Sequence, residues 1–554
     1  MNYQWNILNK SQSLKEIGNC IREWKNIPEG GMAEFINVNN IIRHDPFLLT
    51  NMDKTVKRLK QSIANEEKIC IIGDYDCDGI TATSTLYIGL RSIFSNVIWM
   101  VPDRFKDGYG LNVRLVDAAY TEGCQLIITV DNGIAAKSAI DYAKSLGMDI
   151  IVTDHHKVPA DGIPTEITVD PHQNDSYPFK SICGCMVAFK VIQALIPDMQ
   201  INNKDLYEEL VAITAIGTIT DVMDLVSENR YYVKNGLQYL SCTKNIGLRT
   251  LLEKLDMYGK NLNSGDIGWT IGPCINAVGR LESPDIAVKL LLSDDPVEAN
   301  KIADKIISLN EKRKDLEKKA LDSLVVNEDE KFIVATMDGI GHGLLGLIAG
   351  KVVDKYKRPC FILGSNEEKG TLSGSGRSIY TYNMFDIIEK NRDIIKGGGH
   401  EAACGVEIKY NDLEEFKKRC TEHYNKWSEQ ATKDDLTPKI NIVSEITIDL
   451  IDDKLINNID KLKPFGNGNE EPIFASKELR VVNSKVVGRN ENVIQFEFSD
   501  GFCFRKAVGF KNIKEKYEEL GKPEYVNVAY TVAFNTWNGR TTPQMIITDI
   551  EENA

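Results

Sequence analysis

The chain has 554 residues, too many for a single hydrophobic core, so three or four domains is the natural division. Its 42% hydrophobic and 26% charged content is that of a soluble globular protein, and no run approaches the roughly eighteen apolar residues of a membrane span. A net charge of −14 excludes indiscriminate coating of nucleic acid, but leaves room for a nucleic-acid enzyme whose bound cations reverse the field locally.

The opening MNYQWNILNKSQSLKEI has no basic head followed by an apolar block, and it does not read as a secretory signal. The twelve cysteines are scattered. They read as reduced, buried thiols of a cytoplasmic protein rather than a disulfide framework. Cys183 and Cys185 in ICGC lack a second pair at zinc-finger spacing, which argues against structural zinc.

From about residue 66 to 225, strands and helices alternate. The strand candidates are KICIIGD, NVIWMVPD, CQLIITVDNG, DIIVTDHH and EITVDPH, separated by helical stretches such as ITATSTLYIGLRSIF and AAKSAIDYAKSLG. Apolar, β-branched runs spaced by helices predict a mostly parallel sheet in an α/β domain, with ligands at the carboxyl ends of the strands. Each candidate ends in Asp or His. Three carboxylates, Asp74, Asp76 and Asp78, follow the first strand at every second position. On an extended segment they share a face, and their repulsion calls for one or two divalent cations; a solvated turn is the alternative.

The segment SDDPVEANKIADKIISLN predicts a helix capped by Asp295, with Pro296 in the first position and Glu298 at capping-box spacing. It is read as a connector over 291–325, after an N-terminal segment and catalytic domain over 1–290. A second α/β domain follows over 326–430, opening with KFIVATMDG. The segment 437–554 has five short strand candidates and one helix, near KNIKEKYEEL. That pattern suggests an OB-like β-barrel, a common single-strand binder.

The strand-end residues Asp76, Asp78, Asp131, Asp154, His155 and His156, with Asp221 in GTITDVMDL, make a mixed oxygen and nitrogen ligand set. Such a set suits Mn²⁺ or Mg²⁺, and imidazole tilts it toward Mn²⁺. Two ions about 3.5–4 Å apart stabilise both oxygens of an in-line displacement at phosphorus. Taken singly, Asp131 could cap a following helix, and a buried histidine is usually just hydrogen-bonded.

In the order GDYDCDG, PDRFKDGYGL, TVDNG, TDHH, GTITDVMDL, GPCINAVGR, SGSGRS and GGGHEAACG, the chain resembles the DHH phosphoesterases. The resemblance includes HDPFLLTNMDK and KPFGNGNEEPIF and so covers nearly the whole chain. The last domain aligns it with the family's bacterial single-strand-specific exonucleases. The resemblance implies a DHH catalytic domain, a DHHA1-type substrate-binding domain and two divalent cations, Mn²⁺ or Mg²⁺. The implied ligands are Asp76, Asp78, a bridging Asp131, His155 and Asp221, with Asp74 a further ligand or water partner. His156 is implied as a phosphate-contacting catalytic residue, or as one that only holds its loop.

Arg104, Arg280 and Arg377 sit beside glycines, where a backbone can approach a phosphate closely. By resemblance they form a pocket for a terminal 5′-phosphate with Ser375, while His400 contacts the substrate backbone or, alternatively, is buried and hydrogen-bonded. Pairing of these arginines with local acids is the alternative. Tyr109 stacks on a base or belongs to the core. Cys274 stands where the family usually has arginine, and His342 lacks the tryptophan often found just before it, which leaves its role unassigned.

The resulting expectation is a monomeric, cytoplasmic 5′-to-3′ exonuclease that releases mononucleotides from single-stranded DNA in repair and recombination. A helicase and a single-strand-binding protein are its expected partners, and no membrane is involved. The rivals are a hydrolase of short oligonucleotides or cyclic dinucleotides, and a non-catalytic DNA-binding scaffold.

Overall fold

A computed structural model describes residues 3–104, 106–327, 329–366, 370–379, 381–432, 435, 437–488, 491–537 and 539–553. The chain divides into two compact units. One comprises Met1–Ile41, Gln430–Phe465 and Asn469–Ala554; the other comprises Ile42–Glu429 and Gly466–Gly468.

The N-terminal segment, expected with the catalytic domain, belongs instead to the unit that holds the barrel. Strand β1 (Gln4–Ile7) pairs in parallel with Lys439–Ile442, placing Trp5 opposite Ile440 and Ile7 opposite Ile442. The helix Leu14–Trp24 then buries Ile17 and Ile21 in the barrel core. A lone strand carries no record of its distant partner, so sequence order alone misplaces it.

The first sheet comprises β2 (Ile69–Ile72), β3 (Val97–Met100), β4 (Leu126–Val130), β5 (Asp149–Thr153) and β6 (Thr168–Val169). All are parallel, in the order β3-β2-β4-β5-β6. Strands β2 and β4 are buried at every position, as expected of apolar runs covered on both faces. The order reverses direction between β2 and β4, so a crevice opens where these two strands end. The helices Cys77–Arg91, Gly184–Leu195 and Lys204–Thr220 bring further residues to that edge.

The connector forms the helix Pro296–Ser323, with the Asp295 side chain accepting from the Val297 N–H. Beyond it lie β7 (Ile333–Met337), β8 (Cys360–Asn366), β9 (Thr371–Arg377), β10 (Ile395–Gly399) and β11 (Ala403–Lys409), in the order β10-β11-β9-β8-β7. Only β7 and β8 run parallel.

In the other unit, β12 (Lys439–Ile442) receives β1, and β13 (Ser444–Glu445) leads to β14 (Phe474–Val487), β15 (Val493–Ser499), β16 (Phe504–Gly509), β17 (Tyr525–Trp537) and β18 (Arg540–Glu552). Strand β14 pairs with β15 through its second half and with β17 through its first, which closes five strands into the expected barrel. That double pairing makes β14 longer than its apolar pattern predicts. A bulge between Val481 and Asn483 lets it turn the corner.

Candidate metal centre and substrate site

Strand β2 ends at Ile72, so the three aspartates do not share one extended face as the spacing suggested. Asp74 lies in the turn and its Oδ1 accepts from the Gly110 N–H at 3.3 Å. Asp76 caps the helix Cys77–Arg91, accepting from the Gly79 N–H at 3.0 Å. Asp78 lies in that helix's first turn. Its two oxygens accept from the N–H groups of Gly184, at 2.6 Å, and Cys185, at 3.0 Å. The turn therefore divides the triplet between two clusters.

In the first cluster, Asp78, His155 and Asp221 offer ligand atoms that all lie within 4.8 Å of one another. Asp74, Asp76 and Asp131 do the same in the second. Asp131 also joins His155 and His156 in a third such group, so it stands between the two. His155 Nε2 lies 3.1 Å from Asp131 Oδ1, 3.5 Å from Asp221 Oδ2 and 3.8 Å from Asp78 Oδ2.

Two glycines make this crowding possible. A Cβ on Gly184 would fall 2.4 Å from the Cβ of Asp131, and one on Gly217 would fall 2.6 Å from Asp78 Oδ1. Asp131 itself adopts a left-handed φ of 60°, which turns its carboxylate off the end of β4.

Asn132 and Asp154 support the ligands. The sequence reading leaves Asn132 out of the site and counts Asp154 only among the strand-end acids. Asn132 is fully buried and donates to the carbonyls of Ile72 and Val130 at 3.1 and 2.9 Å, while accepting from the Leu111 N–H at 3.0 Å. It clamps β2, β4 and the loop before the helix Val113–Thr121. The signal for it was the Asp-Asn-Gly after β4, where an Asn bonds local backbone.

Asp154 accepts from the N–H groups of His155 and Ile134 at 2.7 and 2.9 Å and from His156 Nδ1 at 2.7 Å. Burial works against the His156 imidazolium, but the bond to Asp154 and its charge prevail and hold its pKa up at about 9. His155 is held below the ordinary imidazole range by burial, so it is neutral and able to ligate.

The electrostatics favour a cation. Burial, then the charge of Asp76, pushes Asp74 up to about 8; burial, then Asp78 and Asp76, pushes Asp221 up to about 8. Asp131 is raised well above the usual carboxylate range by burial, then by Asp78 and Asp76. Asp131 Oδ1 and Asp221 Oδ2 are buried and carry no hydrogen bond among the described residues, although His155 Nε2 is near both. Bare, buried carboxylate oxygens are costly, and a divalent cation satisfies both oxygens and their repulsion. The donors fit such an ion: carboxylates with one imidazole, in two clusters that share Asp131.

The substrate residues fall into two sets. At the mouth of the crevice the half-exposed Tyr109 donates to the Asp131 carbonyl at 3.1 Å and meets the His156 ring edge-on. Tyr75, not singled out in the sequence, packs edge-on against Tyr109, and the Arg104 guanidinium lies 4.9 Å from its ring centre. Arg280, in the last turn of the helix Gly272–Leu281, donates to the Gly343 carbonyl at 2.9 Å. Burial and then the charge of Arg104 push it down to about 10. Arg377 on β9 donates to Ser375 Oγ at 2.7 Å.

His400 stands apart, exposed at the β10–β11 turn, where its backbone pairs with Ala403. Its side chain makes no hydrogen bond to the other site residues among those described. Cys274 is buried and bonded to Asn310 Nδ2 of the connecting helix at 3.2 Å, so it serves packing there. Cys183 caps the helix Gly184–Leu195, its sulfur accepting from the Met186 N–H.

The sequence matches three families in succession: the DHH family, N-terminal domain, over residues 68–218; the DHHA1 domain over 329–426; and the RecJ OB domain over 443–549. The single-stranded-DNA-specific exonuclease RecJ of Salmonella typhimurium is 31% identical over 91% of this chain and 90% of its own length. The chain belongs to the RecJ family.

The RecJ of Bacillus subtilis is 34% identical over 93% of this chain, and this chain spans 65% of that relative's length. In structure, the fold superposes on the Mn²⁺ complex of RecJ from Thermus thermophilus with a TM-score of 0.82 at 23% identity, covering 99% of this chain and 79% of the other. The α/β catalytic core, second domain and terminal barrel of the RecJ architecture are all present.

Proposed function

We propose that the protein is a divalent-metal-dependent exonuclease that hydrolyses single-stranded DNA from the 5′ end and releases mononucleotides. The observation that carries this reading is the pair of clusters joined at Asp131, with two buried carboxylate oxygens left bare. The RecJ relatives, named for exonuclease activity on single-stranded DNA, supply the substrate class.

Asp78, His155 and Asp221 would hold one cation, Asp74 and Asp76 the other, and Asp131 both. Bound Mn²⁺ or Mg²⁺ supplies an acidified water and neutralises charge on the phosphate. The chain's own residues do the rest. Asp154 fixes the His156 ring through Nδ1, and its charge favours the imidazolium, so His156 would serve as the proton donor to the leaving oxygen. Tyr109 and Tyr75 would face the terminal nucleobase. Arg104, Arg280, Ser375 and Arg377 would bind the terminal phosphate, which registers the strand one nucleotide from the cut. His400, away from this set, would contact the backbone of the incoming strand.

The reading includes a cytoplasmic location, which accords with all twelve cysteines being unpaired. No helix among the described residues is long and apolar enough to cross a membrane. An enzyme restricted to single strands needs partners that expose them, so a helicase and a single-strand-binding protein belong to the proposal.

Digestion of single and double strands labelled at either end, with Mn²⁺, Mg²⁺ or chelator, tests polarity, substrate and metal together. Release of label first from the 5′ end of single strands, and only with metal, is expected. Attack from the 3′ end or on blunt duplex would overturn the reading. Turnover of dinucleotides alone would favour an oligonucleotide hydrolase instead.

A further inference from the structure

The motif around His342 takes no part in the metal clusters. His342 opens the helix His342–Tyr356, and its Nδ1 lies 3.1 Å from Ser373 Oγ on β9. Along β9, Ser373, Ser375 and Arg377 are alternate residues and share one face. The first turn of the helix runs along that face. The Gly343 carbonyl accepts from Arg280 Nη1 at 2.9 Å, and a Cβ on Gly346 would lie 3.1 Å from Arg377 Nη2 and 3.4 Å from Ser375 Oγ. One surface therefore links Arg280, His342, Ser373, Ser375 and Arg377.

Two facts point to an anion there. Among the described residues, Arg104, Arg280 and Arg377 form no ion pair, in a chain with 14 more formal negative than positive charges. His342 Nε2 likewise carries no hydrogen bond among the described residues. Where the Ser373 hydroxyl donates to Nδ1, the ring proton sits on Nε2, which makes that atom a donor.

We propose that His342, oriented by Ser373, is a further specificity-determining residue that donates a hydrogen bond to the terminal 5′-phosphate beside Arg280 and Arg377. This rests on the terminal-phosphate reading of those arginines. Its consequence is that the enzyme recognises a phosphomonoester end against a hydroxyl end partly through an imidazole.

The test uses the full-length protein with Mn²⁺ and single strands of one sequence bearing either a 5′-phosphate or a 5′-hydroxyl. The quantity read is the ratio of kcat/KM between the two, which is internal to each preparation and independent of the folded fraction. His342→Ala is expected to lower the ratio roughly ten-fold, the worth of one hydrogen bond to a charged group. His342→Gln, which keeps a donor, recovers part of it, and Ser373→Ala lowers it less than His342→Ala. If His342→Ala leaves the ratio unchanged while Arg377→Ala lowers it, the role of His342 is overturned and the pocket stands. If the unaltered protein shows no preference for phosphorylated ends, both fall.

Discussion

His155 Nε2 and Asp131 Oδ1 lie 3.1 Å apart although they come from the ends of different strands, β5 and β4. The contact exists because β4 and β5 run parallel in register, Val130 opposite Thr153, so residues just past each strand emerge side by side. Asp131 also closes the cluster with Asp74 and Asp76. Replacing it tests both clusters at once. Asp131→Asn is predicted to lower nuclease activity by roughly a thousand-fold or more, the scale of several kcal/mol of lost charge stabilisation. The metal-free variant should melt no lower than the parent, because a buried carboxyl whose ionisation is repelled by Asp78 and Asp76 has been replaced by an amide that carries no charge at any pH. An end-labelled digestion and a thermal melt check the two parts; near-normal digestion would remove Asp131 from the mechanism.

The raised carboxylates predict an unusual pH dependence for metal-free protein. Asp74 and Asp221 bind protons up to about pH 8 when folded but only to the ordinary carboxylate range when unfolded. Between those limits the folded state holds more protons, so stability falls as pH rises from about 4 to 8. In chelator, the melting temperature attributable to this site should therefore be higher at pH 6 than at pH 8. Saturating Mn²⁺ takes the protons' place, so it should stabilise more at pH 8 than at pH 6 and release protons on binding. Equal stabilisation at both values would count against the carboxylates as ligands.

Asp154 touches no proposed cation but holds the backbone of His155 and the ring of His156. Asp154→Ala is predicted to cost about ten- to a hundred-fold in activity or Mn²⁺ affinity, as losses of such orienting partners do. Calorimetric titration with Mn²⁺, alongside kinetics, separates the two.

Gly217 lies within the helix Lys204–Thr220, where Ala would ordinarily stabilise by about 0.5–1 kcal/mol. Here the added Cβ would sit 2.6 Å from Asp78 Oδ1 and 2.7 Å from the Cβ of Cys185. Gly217→Ala is expected to destabilise by about 1–3 kcal/mol and to weaken metal binding, because the packed carboxylate must move. Urea denaturation reads the first, and a stabilised variant would show that the crowding is relieved cheaply.

Much of the molecule was legible along the chain. The five catalytic strands and the strands of the barrel announce themselves as apolar, β-branched runs, and the Asp295–Pro296 start marks the connecting helix. Those signals are local: they depend on side-chain periodicity and capping within a few residues. The chemistry of the strand ends was legible too, since acidic and imidazole residues recur wherever an apolar run stops.

Other features depend on groups remote in sequence. The partition of Asp74, Asp76 and Asp78 between two clusters follows from β2 stopping at Ile72 and a helix beginning at Cys77, with Gly184 and Cys185 arriving from about a hundred residues away to orient Asp78. The clamp made by Asn132 spans two strands, and the pairing of β1 with β12 joins the first strand of the chain to its last domain. The sequence by itself determined which kinds of element form and which residue types crowd their ends. Only the tertiary structure decided which oxygens share a cation, because hydrogen-bond partners and strand register are set by packing between segments that no local pattern encodes.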